Sequence, residues 1–377
     1  MKWVTMWGNA QSTVTPEPAF YAKDITLRYP VFIPFSGKML RIHLDNFCCN
    51  EDVTISAICV SVGDTLSDEQ KEVTYLTYQG RREMVIPAHQ SIVTDEITYD
   101  MEENKYLIVS IYLREYTKLT SGVDIIGPLS KGYFAYGNHL ESRKLNVNLS
   151  KSTSWVYFLA DIDIYTEDEN YAVICYGDSI TSQDWPDDML LALREKNINN
   201  ISVVRKAVSG TRILKQYECI TYQSYGKSGK NRFLHEIESV SGAKKLIIQH
   251  GINDIIHPVG EEINMFRPMS DMPTALELIE GLSYYIEEAT NLGLETYLGT
   301  LLPIYGWRTY ADFREQIKNE VNQWILSQSS IDFAKEVGES KGDYYSFKDG
   351  CDSGDHLHPS KSAYKKMGIL AAKKILK

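Results

Sequence analysis

Two short polar segments of this chain contain the residue types that nucleophilic catalysis needs. The first is Gly177-Asp178-Ser179, and the second, near the C-terminus, is Asp355-His356-Leu357-His358. A serine hydroxyl is a weak nucleophile at its ordinary pKa and needs a neighbouring base. Asp355 lies three residues before His358, so its carboxylate can hold one ring nitrogen while the other nitrogen faces a serine. If the fold brings the two segments together, they predict acyl-transfer chemistry.

Both segments also have ordinary structural interpretations. Gly-Asp-Ser is a common turn and helix-cap sequence. His356 competes with His358 for the role of base, and a His-x-His pair can bind a metal ion. No matching set of further ligands follows this pair, and the six cysteines contain no CxxC motif. We therefore expect neither a metal site nor a cofactor.

Two further segments supply hydrogen-bond donors. Val208-Ser209-Gly210-Thr211 and Gly251-Ile252-Asn253-Asp254 each follow a short apolar stretch. Glycine lets the backbone come close to a ligand, and backbone N–H groups with an asparagine amide are preorganised dipoles that stabilise a developing oxyanion. Each segment taken alone is an ordinary loop.

The second half of the chain contains the elements that must position these residues. Short apolar strands alternate there with helical stretches, and the strands are predicted at residues 172–176, 202–208, 245–250 and 295–302. The clearest helix is predicted over residues 273–291, with Gly293 just beyond its end and an apolar stripe of four residues, Leu276, Ile279, Leu282 and Ile286. Ser360 is a predicted N-cap of the last helix. This alternation indicates a parallel sheet covered by helices, whose active site lies at the carboxyl ends of the strands.

The first half has a different periodicity. Apolar and polar residues alternate at residues 40–44 and 53–57 and, less strictly, at 107–113, with turn-forming residues between them. This pattern predicts an antiparallel, jelly-roll-like β-sandwich. We therefore divide the chain into an all-β sandwich domain, residues 1–168, and an α/β domain, residues 169–377.

Composition narrows the classes of partner. The chain of 377 residues has a formal net charge of −11 and a sequence pI near 5.3. This balance argues against nucleic acid or an anionic membrane surface as a partner. The first residues lack the apolar run of a signal peptide, and no stretch is long enough to span a bilayer. We therefore expect a soluble, cytoplasmic protein that binds neither nucleic acid nor a membrane.

Together the four segments resemble the blocks of the SGNH (GDSL-type) hydrolase family, which supply Ser, Gly, Asn and His in this order. One departure is Arg205-Lys206-Ala207, which stands where the family often has Asn and Gly before its second block. The resemblance implies a three-layer, flavodoxin-like α/β fold. It also implies that Ser179 is the nucleophile, His358 the general base and Asp355 the residue that orients the histidine. The implied oxyanion hole is formed by Ser179, Gly210 and Asn253.

The first half resembles the sandwich domain of a bacterial SGNH subgroup, through Leu40-Arg41-Ile42-His43-Leu44-Asp45-Asn46 and Met84-Val85-Ile86-Pro87-Ala88-His89-Gln90. Members of this subgroup are lipase-like proteins or carbohydrate esterases. The resemblance favours a serine esterase that removes short acyl groups, acetyl first, from a carbohydrate. It implies that the partner is a small-molecule or oligosaccharide ester. A lysophospholipase, thioesterase or arylesterase is an alternative, and so is a non-catalytic glycan-binding protein.

Residues next to the four blocks are candidates for a substrate pocket. They are Asp178, Arg212, His257, Tyr305 and Trp307. Arg212 is equally suited to a salt-bridged scaffold position. Tyr305 and Trp307, with Tyr310, fall in the loop after the fourth predicted strand, where aromatic rings suit a sugar or an acyl group and can also be plain packing.

Overall fold

The structure is a computed structural model that describes residues 1–13, 21–145, 150–342 and 344–377. The chain forms two compact units. The first contains residues 1–172 with two short later segments, 199–204 and 240–242. The second contains residues 173–198, 205–239 and 243–377. Within the described ranges, no helix is both long and apolar enough to cross a membrane.

The first half of the chain is mostly β-structure, as its alternating pattern predicts. Its strands are β1 (Lys2–Gly8), β2 (Ser12–Thr13), β3 (Tyr21–Ala22), β4 (Ile25–Phe32), β5 (Gly37–Asp45), β6 (Val53–Ile55), β7 (Ala57–Gly63), β8 (Thr74–Tyr75), β9 (Met84–Ile86), β10 (Ser91–Val93), β11 (Ile97–Met101), β12 (Tyr106–Leu113), β13 (Thr117–Lys118), β14 (Ser121–Asp124), β15 (Gly132–Tyr136), β16 (Ser150–Thr153), β17 (Trp155–Tyr157) and β18 (Leu159–Thr166).

Two antiparallel sheets contain most of these strands. One has the order β1-β18-β5-β10, with β11 also paired to β5, and the other has the order β16-β15-β4-β12-β7-β8. In the second sheet Val109 of β12 lies opposite Tyr29 of β4 and Val60 of β7, and all three are buried. The mostly-β prediction is confirmed, while the jelly-roll-like sandwich stays a prediction.

One predicted strand in this half is divided in two. The alternation at residues 53–57 predicts a single strand, but β6 ends at Ile55 and β7 begins at Ala57. At Ser56 between them, the backbone N–H donates to the carbonyl of Tyr112 at 2.9 Å. β6 pairs with β9 whereas β7 pairs with β12, so the chain changes its pairing partner at Ser56.

In the second half of the chain, strands and helices alternate. The elements are β19 (Tyr171–Gly177), α1 (Trp185–Glu195), β20 (Ile201–Ala207), α2 (Gly229–Glu238), β21 (Ala243–Gln249), α3 (Ile252–Ile256), α4 (Ala275–Asn291), β22 (Glu295–Gly299), α5 (Asp312–Leu326), β23 (Ser330–Ile331), α6 (Phe333–Val337), β24 (Gly338–Lys341), β25 (Tyr344–Phe347) and α7 (Lys361–Ile375), with 3-10 turns at Ile220–Tyr225 and Met269–Asp271. Five strands form a parallel sheet in the order β20-β19-β21-β22-β23. This confirms the predicted parallel sheet.

The helix predicted over residues 273–291 is α4, but the predicted apolar stripe on it is wrong in part. The structure buries Leu278, Leu282 and Tyr285, whereas Leu276 is 63% exposed. The Tyr285 ring stacks on Phe233 of α2 with a centroid distance of 4.6 Å. When a helix has apolar residues on more than one side, the side that makes the larger packing contact is buried. In α4 this is the side with Tyr285.

Helices α1 and α7 pack closely against each other at Gly368. A Cβ atom placed on Gly368 would lie 2.6 Å from the backbone nitrogen of Met189 in α1. The absence of a side chain at Gly368 therefore allows the backbones of the two helices to come into contact. Helix α7 begins at a capped end, where Ser360 Oγ accepts the N–H of Ala363 as predicted. Because α1 follows Ser179 and α7 follows His358, this packing restrains the separation of the two predicted catalytic segments.

Gly368→Ala tests this packing. Alanine is favoured over glycine inside a helix by about 1 kcal/mol, so the substitution would stabilise an isolated helix. In the protein we expect the free energy of unfolding to fall by roughly 1–2 kcal/mol, because the added methyl group overlaps the α1 backbone. Denaturant titration measures this change. Lys365→Ala on the exposed side of α7 serves as the control, and a stabilised Gly368→Ala protein would contradict the close approach.

Candidate active site

The serine, histidine and aspartate predicted to act together lie in hydrogen-bonding order. Ser179 comes just after β19, and its Oγ lies 2.9 Å from Nε2 of His358. The other ring nitrogen of His358, Nδ1, lies 2.6 Å from Oδ2 of Asp355. Ser179 and His358 are half-buried. A hydroxyl, an imidazole and a carboxylate in this order can transfer the hydroxyl proton to the imidazole.

The loop around Asp355 fixes the state of the histidine. Burial alone would raise the pKa of the Asp355 carboxyl, but hydrogen bonds from the His358 ring and from the N–H groups of His358 and Leu357 lower this pKa to about 2. Asp355 is therefore ionised at neutral pH and can only accept hydrogen bonds. It favours the His358 tautomer with a proton on Nδ1, which leaves the Nε2 lone pair directed at Ser179.

The competing histidine, His356, points to a different partner. Its Nδ1 lies 2.6 Å from Oδ2 of Asp352, its backbone has a φ of +63°, and its ring packs against Gly306. The geometry therefore brings His358 to the serine and turns His356 away from it. Among the described residues, no cluster of three or more His, Cys, Asp or Glu side chains has the geometry of a metal site.

Asp178, a candidate pocket residue, is fully buried beneath the serine loop. Its Oδ1 accepts the backbone N–H of Ile180 at 3.0 Å, while Oδ2 has no hydrogen-bond partner among the described residues. Burial raises the pKa of this carboxyl to about 7. Asp178 therefore shapes the turn that presents Ser179, and its side chain is not at the protein surface.

Gly210 lies at the tip of the loop after β20 with a φ of +80°, a conformation that favours glycine. A Cβ atom there would lie 2.2 Å from the ring of Tyr225. The rings of Tyr225, Tyr217 and His257 pack together beside the turn, and we call them the aromatic wall. The loop is joined to the serine loop by Ser182, whose Oγ donates to the Ser179 carbonyl at 3.1 Å and lies 3.0 Å from Ser209 Oγ. Within the described part of the chain, the N–H groups of Ser179 and Gly210 donate no hydrogen bond.

Asn253 is held beside this loop by its own amide. Asn253 Nδ2 donates to the carbonyl of Thr211 at 3.0 Å, which leaves its second N–H available. The same carbonyl lies 3.2 Å from Nε2 of the buried His250. Burial lowers the pKa of His250 to about 3, so its imidazole is neutral at physiological pH. Thr211 thus links the Gly210 turn to the Asn253 amide.

Asp254, next to Asn253, supports the following loop. Its two carboxyl oxygens accept the backbone N–H groups of Ile213 and Leu214 at 2.7 and 3.0 Å. Burial raises the pKa of Asp254 to about 6. The carboxyl therefore acts as a buried acceptor for the chain between Gly210 and α2.

Arg212 and His257, two more candidate pocket residues, are also almost fully buried. The Arg212 guanidinium forms a salt bridge with Asp271 at 2.9 Å. Of the two alternatives for Arg212, a pocket residue or a scaffold residue, this arrangement matches the scaffold residue. His257 Nδ1 lies 3.1 Å from the hydroxyl of Tyr217, and its ring stacks on Tyr225 with a centroid distance of 5.4 Å. Both residues therefore brace the aromatic wall beside Gly210.

The remaining candidates, Tyr305 and Trp307, lie in the loop after β22. Tyr305 is 38% exposed and stacks on Tyr344 with a centroid distance of 3.6 Å. Trp307 is half-buried, and the Arg308 guanidinium lies 4.6 Å from its ring centroid. This loop touches the loop of Asp355 and His358, because Gly306 contacts the His356 ring.

Sequence reasoning missed Arg232, a fully buried residue of α2. Its Nη2 donates to the Gly177 carbonyl at 2.7 Å, and Glu236 pairs with its guanidinium. It thereby fixes the end of β19, two residues before Ser179. The only signal in the sequence is an Arg–Glu pair at i,i+4 spacing, which is far more often found on an exposed helix face.

The model of the GDSL-like lipase/acylhydrolase family matches residues 173–370, more than half of the chain. The chain therefore belongs to the GDSL-like lipase/acylhydrolase family, whose members are hydrolases and esterases. The match covers all four blocks, and the parallel sheet is the sheet of the GDSL/SGNH hydrolase fold. A search of curated proteins found no match.

Several solved structures are similar to part of the chain. A GDSL-like lipase from Bacteroides thetaiotaomicron is 15% identical, with a TM-score of 0.40, covering 56% of this chain and 90% of that one. A putative lipolytic protein of the G-D-S-L family from Desulfitobacterium hafniense is 21% identical, with a TM-score of 0.37 and coverages of 54% and 99%. An acetylxylan esterase from Geobacillus stearothermophilus is 16% identical, with a TM-score of 0.40 and coverages of 55% and 96%.

Asp178→Asn tests the buried carboxyl. The raised pKa means that the folded protein binds this proton more tightly than the unfolded chain, whose aspartates titrate near pH 4. The contribution of Asp178 to stability should therefore fall by about 1.4 kcal/mol for each pH unit between roughly pH 4 and 7. Asparagine keeps the acceptor for Ile180 but does not ionise. We expect the free energy of unfolding of the variant, minus that of the wild type, to increase from pH 5 to pH 8.

Denaturant titrations at several pH values measure this difference. Asp100→Asn, at an exposed aspartate in β11, provides the matched control and should follow the wild-type pH dependence. Parallel curves for Asp178→Asn and the wild type would show that Asp178 does not titrate in this range.

Proposed function

We propose that the protein is a serine esterase in which Ser179 is the nucleophile and His358 is the general base. The observation that carries this proposal is the 2.9 Å contact between Ser179 Oγ and His358 Nε2, with Asp355 on the other ring nitrogen. Membership of a family of lipases and acylhydrolases supports the reaction class.

In the proposed mechanism, Ser179 Oγ forms a bond to the ester carbonyl carbon while His358 Nε2 takes the hydroxyl proton. The carbonyl oxygen becomes negatively charged and is stabilised by the N–H groups of Ser179 and Gly210 and by the free N–H of Asn253. The carbon–alkoxy bond then breaks, and His358 gives its proton to the leaving alcohol. A water molecule attacks the acyl-enzyme by the same route, which releases the carboxylic acid and restores Ser179.

The proposed substrate is a short acyl ester, acetyl first, of a carbohydrate. The aromatic wall of Tyr217, Tyr225 and His257 packs beside the Gly210 turn, where a Cβ atom on Gly210 would overlap the Tyr225 ring, and this close packing favours a short acyl group. The loop with Tyr305 and Trp307 contacts the loop that carries His358, and its aromatic rings suit contact with a carbohydrate.

A lipid-like ester is a second candidate, favoured by a different observation. The segment after α3 exposes several apolar side chains: Ile263 at 72%, Met265 at 71%, Phe266 at 41% and Met269 at 42%. Its residue Asn264 donates to the hydroxyl of Tyr222, in the 3-10 turn that ends with Tyr225. Exposed apolar residues near an esterase site suit a long acyl chain.

A panel of p-nitrophenyl esters from acetate to laurate, with acetylated oligosaccharides, separates the two candidates. We expect the highest kcat/KM for acetate among the p-nitrophenyl esters, and a preference for laurate would favour the lipid-like ester. Ser179→Ala is the control, and turnover that survives this substitution would remove Ser179 as the nucleophile.

His358→Ala and His356→Ala form a matched pair for the general base. We expect kcat for p-nitrophenyl acetate to fall by roughly 10⁴-fold or more in His358→Ala, because Ser179 loses its proton acceptor. His356→Ala should retain most of the wild-type kcat. The reverse order would assign the base to His356. Circular dichroism of both variants confirms that they are folded.

Asn253→Ala removes the side-chain donor of the proposed oxyanion hole. We expect kcat to fall about 10²–10³-fold with a smaller change in KM, since the donor acts mainly on the charged intermediate. The Thr211 carbonyl keeps its hydrogen bond from His250, so the loop should remain in place. An unchanged kcat would mean that another group stabilises the oxyanion.

A further inference from the structure

A polar groove runs along helix α5. Its volume is about 580 Å³. One side is formed by α5 and the other by three tyrosines, Tyr305, Tyr310 and Tyr344. We call it the α5 groove. Two of its lining residues, Tyr305 and Tyr310, belong to the loop after β22 that the sequence offers as a candidate substrate pocket.

The helix side of the α5 groove is a row of side-chain amides. Gln316, Asn319 and Gln323 are spaced by three and four residues and therefore lie on one face of α5. Each amide has both donors and an acceptor, which matches the hydroxyl groups of a sugar. The opposite face of α5 contains the buried residues Val321 and Ile325, so the helix is anchored and the amide row faces the groove.

The tyrosine side of the groove is a packed aromatic surface. Tyr305 stacks on Tyr344 with an interplanar angle of 11°, and Tyr310 meets Tyr305 edge-on with a centroid distance of 5.0 Å. Tyr305 remains 38% exposed. Aromatic rings held rigidly in this way provide an apolar surface with polar tips, which suits the C–H faces and hydroxyl groups of pyranose rings.

The charges of the groove disfavour an anionic ligand. Among the described residues that line it, none is lysine or arginine, whereas Asp312, Glu315 and Glu320 are present. Glu315 is paired with the buried Lys318 at 2.7 Å, and Glu320 accepts from Gln316 at 2.9 Å. A phosphate, a uronic acid or a lipid headgroup with a phosphodiester would meet these carboxylates with no lysine or arginine of the lining to neutralise its charge. An uncharged chain with many hydroxyl groups fits this lining.

The groove adjoins the proposed catalytic loop. Gly306, next to Tyr305, contacts the ring of His356, and His356 lies two residues before His358. A ligand along α5 and Tyr305 would therefore extend toward the loop that carries the general base.

We propose that the α5 groove binds a neutral oligosaccharide and presents an acyl group on that chain to Ser179. This inference rests on the proposed esterase function for its second part only. Binding of the oligosaccharide to the groove requires no catalysis and can be measured by itself.

Isothermal titration calorimetry with xylohexaose, cellohexaose and mannohexaose tests binding to the full-length protein. We expect at least one of them to bind, and Tyr305→Ala and Asn319→Ala to weaken that binding about tenfold or more, which is the effect of losing roughly one good contact. Tyr116→Ala and Gln328→Ala, at an exposed tyrosine and an exposed glutamine outside the groove, are the matched controls and should bind as the wild type does.

A galacturonate hexamer provides the charge control and should not bind. Three results would overturn the proposal. They are an equal loss of affinity in the groove and control variants, tighter binding of the galacturonate hexamer than of the neutral hexasaccharides, and no binding of any neutral hexasaccharide.

Kinetics test the connection to Ser179. In Asn319→Ala, kcat/KM for an acetylated oligosaccharide should fall about tenfold relative to kcat/KM for p-nitrophenyl acetate, because only the long substrate reaches the groove. Equal losses for both substrates would overturn the presentation of the acyl group. A wild-type protein that binds a neutral hexasaccharide in the groove but cleaves no ester would leave the binding site standing and remove the esterase function instead.

Discussion

The geometry of the site depends on how closely α1 approaches α7. The serine loop leads into α1 and the histidine loop leads into α7, so the 2.9 Å contact between Ser179 and His358 joins segments that are far apart in the chain. At Gly368 the two helices are in backbone contact, and close-packed interiors deform little. A helix pair that sets the distance between two loops thus brings into hydrogen-bonding contact two side chains that the sequence separates by 179 positions.

The other loops of the site are fixed by buried polar groups. Asp254 holds the chain after Gly210, His250 holds Thr211, and Arg232 holds the last carbonyl of β19. Each polar group is matched to a specific backbone group, since an unpaired one would be strongly destabilising in the interior. These contacts hold the proposed oxyanion donors in position before any substrate is present, and preorganised dipoles are what stabilises a charge that forms during a reaction.

The sequence was sufficient for the parts of the site that depend on local spacing. Strand ends set the Ser179, Gly210 and Asn253 loops, and the three-residue interval placed Asp355 on His358. It could not show that Asp178, Arg212 and His257 are buried, because burial depends on which segments pack above them. The buried face of α4 was missed for a similar reason. Apolar residues occur on more than one side of that helix, and the side with Tyr285 is selected by packing against Phe233 of α2 and against Tyr176. Arg232 was missed because tertiary packing, not its neighbours in sequence, makes it structural.

Asp355 and His358 share one short loop, and this has an evolutionary consequence. The Asp355 carboxylate orients the His358 ring, and backbone N–H groups of the same loop hold this carboxylate. The pair is therefore positioned by its own loop. An insertion elsewhere in the chain would leave this pair intact. Its contact with Ser179 would persist as long as the distance between the two loops is conserved. Recombination that moves this loop would transfer the proposed base together with the carboxylate that orients it. A carboxylate that comes from a distant strand lacks this independence, because any shift of that strand would separate the carboxylate from the imidazole ring.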